Sequence, residues 1–215
     1  EQPLGKPLYP MERILLSLDL DRDTFQKALE VEAQMIITHH PIIFKPLDSL
    51  TRTGSTEGLV YDIIREDIVA YNAHTNLDLA HGGVNDALAD ILGLFDTEPL
   101  SITREETGHG YGRVGTIDRT EVWDYLDKVK VALDTEHLIV YGDGEGMISK
   151  VAICGGSGAS FIYDAYLEGA DIYITGDIKY HDGQYAYELG LILVDAGHYH
   201  TEKVILPVIK DYLEE

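Results

Sequence analysis

The feature of this 215-residue chain that most constrains its fold is an internal repeat. Sliding the sequence against itself by 137 positions aligns residues 13–16 with residues 150–153, and residues 33–38 with residues 170–175. In each copy an apolar strand leads through small or polar residues into a helix, and the chain returns as a second apolar strand. This pattern predicts a β-α-β unit in each half of the chain.

Helical periodicity and a third strand extend each unit. Apolar residues recur at helical spacing after a start signal in both copies: Phe25, Ala28, Leu29 and Ala33 after Asp23-Thr24, and Phe161, Ala165 and Leu167 after Ser160. Residues 68–71 and 191–194 are apolar and predict third strands. Strands that alternate with helices predict an α/β fold, here two similar domains with mostly parallel or mixed sheets.

A glycine-rich stretch, residues 108–115, separates the two copies, and we expect a domain boundary near residue 100. The first half, residues 1–100, then holds His39-His40 and the His74/Asp78 pair. The second half, residues 101–215, holds Thr175-Gly176-Asp177, His181 and the His198/Glu202 pair. Residues 110–115 match the dinucleotide-binding fingerprint, but they precede a predicted strand where that fingerprint opens a helix, so we reject this interpretation.

Composition excludes several classes of function. Asp and Glu number 38 against 16 Lys and Arg, a formal charge of −22, and no cluster of basic residues offsets the repulsion of a nucleic-acid backbone. The single cysteine, Cys154, lies in an apolar run and predicts a buried structural thiol without a disulfide. The chain has neither a bilayer-spanning apolar stretch nor a leader, which predicts a cytoplasmic protein without membrane association.

Histidines and carboxylates follow the predicted strands. His39-His40 follows the second strand, and His74/Asp78 and His198/Glu202 follow the third strands, each with the acid four residues after the histidine. Ligands in parallel sheets collect beyond the carboxyl ends of the strands. Imidazole and carboxylate ligands suit a divalent zinc, iron or manganese ion, and five of them exceed what one tetrahedral ion takes from protein, so we expect two metal ions.

The spacing of these residues leaves alternatives open. Adjacent residues on a regular strand point to opposite faces, so His39 and His40 approach one centre only if the strand ends there, or else they serve two ions on either side. His74 and His181 are each a metal ligand, an orienting residue or a substrate contact. Residues 155–160 either cradle a phosphate with their backbone N–H groups or form a tight strand-to-helix turn.

Four segments resemble the Nif-three-like dinuclear-metal proteins, known as GTP cyclohydrolase I type 2 homologues. They are Ile37-Thr38-His39-His40-Pro41-Ile42-Ile43-Phe44, Ala73-His74-Thr75-Asn76-Leu77-Asp78 with Gly82-Gly83-Val84-Asn85-Asp86, Thr175-Gly176-Asp177-Ile178-Lys179-Tyr180-His181, and Gly197-His198-Tyr199-His200-Thr201-Glu202. The chain departs from the family at residues 1–5, where members usually open with a helix and a Trp-Asp-Asn segment.

The resemblance implies which residues serve the metal ions. Two divalent ions are expected between two similar α/β domains, with His74 and His181 beside them as candidate catalytic residues. The implied ligands are His39, His40, Asp78, His198 and Glu202. The resemblance also implies a homohexamer.

Two functions remain open from the sequence. The first is a metal-dependent hydrolase that acts on a small-molecule substrate, a nucleotide or related metabolite, and GTP cyclohydrolase chemistry is implied by the resemblance. The cations next to the motifs are Lys45 and Lys179, so hydrolysis of a substrate other than GTP stays open. The second is a non-catalytic metal-binding or regulatory assembly. An enzyme needs an open coordination position, whereas a structural site is closed by protein ligands.

Overall fold

The computed structural model describes residues 11–104 and 108–215 of the chain. Residues 1–5, where the sequence departs from the family pattern, lie outside the described residues. The chain divides into two compact units, of which one ends at Leu77 and the other begins at Asp78. We describe each unit by itself.

The first unit contains a three-stranded parallel sheet with the strands in chain order. Its elements are β1 (Ile14–Ser17), α1 (Arg22–Glu30), β2 (Met35–Thr38), α2 (Ser55–Arg65) and β3 (Val69–Asn72), and α3 (Thr75–Leu79) follows. The core of the unit forms from Phe25 and Ala28 of α1, Ile36 of β2 and Ile63 of α2. Phe25, Ala28 and Ile36 lie in segments that the sequence pattern predicted as a helix and a strand, whereas α2 was not predicted.

The start of α1 differs from the prediction. The N-cap is Asp21, whose carboxylate accepts a hydrogen bond from the Thr24 amide at 2.8 Å, and the helix begins at Arg22. The predicted signal at Asp23-Thr24 was therefore wrong by two residues. The reason is that the capping carboxylate satisfies an amide three residues further on, so a cap at Asp21 already serves Thr24.

The second unit is larger and its main sheet is mixed. Its elements are α4 (Val84–Ile91), β4 (Phe95–Glu98), β5 (Ser101–Arg104), β6 (His109–Tyr111), β7 (Arg113–Glu121), α5 (Val122–Leu133), β8 (Ile139–Tyr141), β9 (Met147–Ser157), a 3-10 turn at Ala159–Phe161, α6 (Ile162–Leu167), β10 (Ile172–Gly176), α7 (Tyr180–Leu189), β11 (Ile192–Asp195), α8 (His198–Glu202) and α9 (Ile205–Glu214). The main sheet has the order β4-β7-β9-β10-β11-β8, and β5 pairs with β6 separately. Strands β9, β10 and β11 run parallel, whereas β4, β7 and β8 pair antiparallel.

The two parallel segments agree in register. Ile14 of β1 pairs with Met35 of β2, and the residues 137 positions later, Val151 of β9 and Ile172 of β10, also pair. Each sheet then adds its third parallel strand beside the second, β3 in one unit and β11 in the other. The predicted α/β class and the β-α-β strand order are therefore confirmed in both units.

The division between the units falls at Leu77, about twenty residues before the predicted boundary near residue 100. The physical reason is the packing of α4, because Leu88 and Ala89 join a core formed with Val122 and Leu126 of α5. The glycine-rich segment that suggested the boundary has a different use, since Gly112, with φ +61°, makes the turn between β6 and β7. No helix opens at residues 110–115, as the rejection of the dinucleotide fingerprint required.

The apolar residues that predicted the helix after Ser160 do not all face the core. Leu167 is 65% exposed, whereas Ile162 and Ala165 are buried. The helix α6 begins after a 3-10 turn that ends at Phe161, so the face that meets the core runs through Ile162 and Ala165. In the described residues no helix is both long enough and apolar enough to cross a membrane.

Candidate metal centre

Three histidines of the first unit lie together beyond the ends of two neighbouring strands. Strand β2 ends at Thr38 and β3 ends at Asn72, so His39, His40 and His74 all follow carboxyl ends. One ring nitrogen from each histidine lies within 4.8 Å of those of the other two. Because β2 ends before His39, the two adjacent rings approach one centre, which was one of the two predicted alternatives.

The hydrogen bonds of His39 and His40 orient both rings in the same way. His39 Nδ1 donates to the Ala73 carbonyl at 2.8 Å, and His40 Nδ1 donates to the Asp19 carboxylate at 3.0 Å. The carbonyl can only accept, so His39 carries its proton on Nδ1 and presents the Nε2 lone pair. An oxygen acceptor on one ring nitrogen is the usual arrangement of a histidine whose other nitrogen binds a metal ion.

The backbone around His40 is held by two polar side chains at the strand ends. Thr38 Oγ1 donates to the His40 carbonyl at 2.8 Å. Asn72 Nδ2 donates to Thr38 Oγ1 at 2.8 Å and to the same carbonyl at 3.2 Å. The position of His40 is therefore fixed by both neighbouring strands of the sheet.

The second unit brings together a histidine and two carboxylates. His198 and Glu202 are the first and last residues of α8, and His198 Nε2 lies 3.1 Å from Glu202 Oε2. His198 Nδ1 lies 2.7 Å from Asp177 Oδ2, just beyond the end of β10. The spacing of four residues therefore places the side chains of His198 and Glu202 on one face of α8.

The carboxylates change the protonation of His198. The hydrogen bond with Glu202 is the largest cause that raises the pKa of His198 to about 9, and Asp177 adds to it against the opposing effect of burial. Glu202 is buried, with its side chain 5% exposed. An environment that holds a proton on an imidazole through two carboxylates also favours a divalent cation in place of that proton.

Two glycines give the side chains of α8 their space. Gly156 has φ +68°, and a Cβ there would overlap the Glu202 carboxylate and lie 3.2 Å from His198 Nε2. A Cβ at Gly176 would lie 2.6 Å from the backbone nitrogen of His198. Any larger residue at these positions would displace His198 or Glu202.

The segment of residues 155–160 does not offer a phosphate cradle at Gly155 or Gly156. The Gly155 amide donates to Asn85 Oδ1 at 2.9 Å, and the Gly156 amide donates to Thr201 Oγ1 at 3.0 Å. These two N–H groups are therefore used inside the second unit. Of the two predicted alternatives, the structure favours the tight strand-to-helix turn.

Asp78 lies in α3, where Asn85 holds its backbone. The Asn85 side chain donates to the Asp78 carbonyl at 3.0 Å while it accepts from Gly155. Burial is the largest cause that raises the pKa of the Cys154 thiol to about 12, and the negative charges of Asp78 and Glu202 contribute to this rise. Cys154 is buried, as predicted, and both carboxylates act on it.

His181 lies apart from the other candidate residues of its unit. It is exposed at the start of α7, with Nδ1 3.4 Å from Gln184 Oε1 and its ring against Tyr180. In the part of the chain that the structure describes, it has no hydrogen bond, ion pair or ring contact with His198 or Glu202. The predicted role of His181 beside the metal ions thus lacks a contact within its own unit.

The sequence reasoning missed the residues that orient the candidate ligands. Asp19 follows the end of β1, so the rule that found the histidines beyond β2 and β3 would also have found it. Asp177 and Asn85 stand in the quoted motifs, but their partners are distant in sequence. Only the folded chain pairs Asn85 with Gly155.

The fold and these side chains define a class: an α/β protein with histidine and carboxylate groups at the ends of parallel strands that could hold a metal ion. The chain belongs to the Duf34/NIF3 (NGG1p interacting factor 3) family, whose model matches residues 4–215. This agrees with the resemblance found in the sequence motifs.

Relatives and solved structures agree with this assignment. A Lactococcus lactis subsp. lactis protein named GTP cyclohydrolase 1 type 2 homolog is 39% identical over 213 residues, which cover 98% of this chain and 80% of the relative. A Streptococcus pneumoniae protein of the same name is 38% identical and covers 88% and 72%. The Bacillus cereus protein related to NIF3 superposes with a TM-score of 0.91 at 26% identity, covering 98% of this chain and 85% of that one. Reduced HcgD from Methanocaldococcus jannaschii gives 0.84 at 32% identity, covering 98% and 82%.

Proposed function

We propose that this chain is a dinuclear divalent-metal protein and a metal-dependent hydrolase. The observation that carries the proposal is shared by three histidines. His39, His40 and His198 each direct Nδ1 to an oxygen atom, of a backbone carbonyl or a carboxylate, and so present Nε2 as the ligand atom. Histidines in merely structural roles have no reason to repeat this orientation beyond strand ends.

The donor set fits two divalent ions of zinc, iron or manganese. The proposed ligands are His39, His40, Asp78, His198 and Glu202, with His74 beside them. Two such ions supply Lewis acidity, which activates water and polarises a substrate carbonyl, amidine or phosphoryl group. Gly156 leaves the space that Glu202 needs, and Asp177 and Asp19 hold the rings of His198 and His40.

We propose His74 and His181 for the remaining roles in the reaction, which are proton transfer and substrate contact. His74, whose ring centroid lies 5.2 Å from that of His39, stands close enough to the ligands to transfer a proton or contact substrate. His181 is proposed for proton transfer from the resemblance alone. The substrate class is a nucleotide or a related small metabolite, in line with the name shared by the relatives, GTP cyclohydrolase 1 type 2 homolog.

A second candidate is a non-catalytic metal-binding or regulatory assembly. The exposed aromatic side chains favour a homo-oligomer, for which the resemblance implies a hexamer; the cytoplasm is the location that we expect from the sequence. Among them are Tyr180 and Tyr212, both 77% exposed. In this alternative the ions stabilise the assembly and substrate turnover is absent.

The test is the metal content per chain after purification without chelators or added metal. We expect about two ions per chain in the wild type and a large loss in His40→Gln and Glu202→Gln. His137→Gln is the matched control, because His137 is exposed and its recorded hydrogen bonds involve only its own backbone.

The outcomes separate the two candidates. Full metal content in both ligand variants contradicts the site. Two ions per chain with hydrolysis of a nucleotide that is lost in Glu202→Gln supports the hydrolase, whereas two ions without turnover over a panel of nucleotides supports the regulatory alternative.

A further inference from the structure

Phe44 is a large apolar side chain exposed beside the histidine cluster of the first unit. It is 75% exposed, and its ring centroid lies 6.3 Å from that of His74. His74 in turn contacts the rings of His39 and His40, at centroid distances of 5.2 and 5.6 Å. The phenyl ring therefore stands next to the proposed metal ligands and not on a remote part of the surface.

The chain holds this ring in a restricted segment. Phe44 is four residues after His40, and the segment is bounded by Pro41 and Pro46. Proline fixes its own φ and restricts the residue before it, so the segment has fewer conformations to lose when a ligand binds. A single exposed apolar residue is ordinary on a protein surface, but one held beside candidate metal ligands is suited to contact what binds there.

The neighbouring residues leave room for a ligand with a polar part. The segment that leads to Phe44 lines a cavity of about 310 Å³ through His40, Pro41 and Ile42. Arg22 and Thr56 also line this cavity, together with the carboxylates of Asp19 and Asp21. Lys45 is the next residue after Phe44. Cavities of this size accommodate small ligands.

We infer that Phe44 is a stacking platform for a planar heteroaromatic ring, and that the substrate class of the site is therefore a nucleobase-containing compound. This inference rests on the proposed function, since it assigns a substrate contact to the proposed metal site. An aromatic face next to the ligands of a metal ion binds a purine or similar ring by stacking and presents one edge of that ring to the ions. Ribose 5-phosphate has no flat π-face and offers only C–H groups to the phenyl ring, and inorganic phosphate offers no apolar face, so neither gains comparable stacking.

The test is the affinity of the metal-containing protein for guanosine 5′-monophosphate and adenosine 5′-monophosphate, with ribose 5-phosphate as the ligand that lacks a ring system. Isothermal titration would be carried out on wild type, Phe44→Leu, Phe44→Trp and Phe95→Leu, with metal content measured on the same samples. Phe95 is a matched control, because it is another phenylalanine, 47% exposed, in β4 of the second unit.

We expect Phe44→Leu to weaken nucleotide binding by about 5- to 150-fold at unchanged metal content, which is the range for loss of a stacking contact. Phe44→Trp should retain the affinity, and Phe95→Leu should match the wild type. Ribose 5-phosphate should bind much more weakly than either nucleotide and respond to none of the variants.

Several results would overturn the inference. They are equal nucleotide affinity in wild type and Phe44→Leu, binding of ribose 5-phosphate as tight as that of the nucleotides, or absence of nucleotide binding by protein that holds its metals. A change of sedimentation coefficient in Phe44→Leu with intact binding would assign Phe44 to a subunit contact instead. Absence of metal from the wild type would be a failure of the proposed function, and the metal measurement distinguishes that case.

Discussion

The two units offer different kinds of candidate metal ligand at equivalent places in their sheets. Beyond β2 and β3 the first unit presents three imidazoles, of which His39 is oriented by an uncharged carbonyl. Beyond β10 and β11 the second unit presents one imidazole, His198, between the carboxylates of Asp177 and Glu202. The shared strand order therefore determines where the candidate side chains lie, whereas the local sequence of each unit determines their charge.

This difference predicts separate contributions to metal binding. Neutral imidazoles supply directional lone pairs, whereas carboxylates supply the negative charge that offsets a divalent cation. We therefore expect loss of charge in the second unit to be the most damaging change, and the variants below are ordered by expected effect.

Glu202→Gln should cause the largest loss. The amide keeps the shape of the side chain in the space beside Gly156 but removes the charge from a buried position. We expect metal affinity to fall by two orders of magnitude or more, since loss of a ligand should exceed the roughly 10- to 100-fold cost of losing a residue that merely orients one. Competition with a fluorescent zinc chelator measures this. An affinity within about threefold of the wild type would contradict the role of Glu202.

His39→Ala and His40→Ala should differ in their effect on the stability of the folded protein. His39 is wholly buried, whereas His40 is partly exposed, so both variants should lose metal but only His39→Ala empties a buried volume. We expect His39→Ala to lower the free energy of unfolding of the metal-free protein by about 2–4 kcal/mol. Urea denaturation of both variants measures it, and equal stabilities would show that the site around His39 relaxes without cost.

Asn85→Ala should have an intermediate effect on the second unit. Asn85 is 1% exposed and bridges the Asp78 carbonyl and the Gly155 amide. Its loss leaves buried polar groups without this partner, at a cost of about 1–3 kcal/mol in unfolding free energy. Because Asp78 would also lose its anchor, metal affinity should fall with stability. Unchanged metal affinity in a destabilised variant would limit Asn85 to a structural role.

The smallest expected effect is a pH dependence of the metal-free protein. The pKa of His198 is raised from 6.5 to about 9, chiefly by Glu202, so the protonated imidazole stabilises the folded state. That contribution is complete below about pH 6.5 and is lost as the pH rises through about 9. Nuclear magnetic resonance of the histidine ring protons measures the pKa directly.

Asp177→Asn is the matched variant for that titration. Asp177 has φ +59°, a left-handed conformation that Asn also tolerates, so the backbone should be preserved. The pKa of His198 should then lie below that of the wild type, with a smaller loss of stability between pH 6.5 and 9. Identical titration curves for the two proteins would contradict the contribution of Asp177.

The fold was largely readable from the sequence because the strands of both units are buried and apolar. The repeat at 137 positions predicted β1, β2, β9 and β10, and the observed register repeats at the same interval. The strand predicted after the glycine-rich stretch is β7, whereas β4 and β8 were harder to find. β4 is exposed throughout, and β8 has only three residues, so neither carries a strong apolar pattern.

The candidate site was readable only in part. Histidines after apolar strands stand out in a sequence, and the structure does gather His39, His40 and His74. Hydrogen-bond partners such as Asn85 for the Gly155 amide, 70 residues apart, depend on the folded chain and do not follow from spacing. The exposed position of His181 could not be predicted either, because the sequence motif does not indicate which residues of α7 are buried.

The buried thiol of Cys154 has a consequence for how the protein withstands oxidation. Its pKa of about 12 keeps the sulfur of the metal-free protein protonated at neutral pH. Since the thiolate and not the thiol is the reactive form, a buried thiol with a raised pKa reacts slowly with oxidants and alkylating reagents. The one cysteine of the chain therefore adds no readily oxidised group to the second unit while that unit is folded.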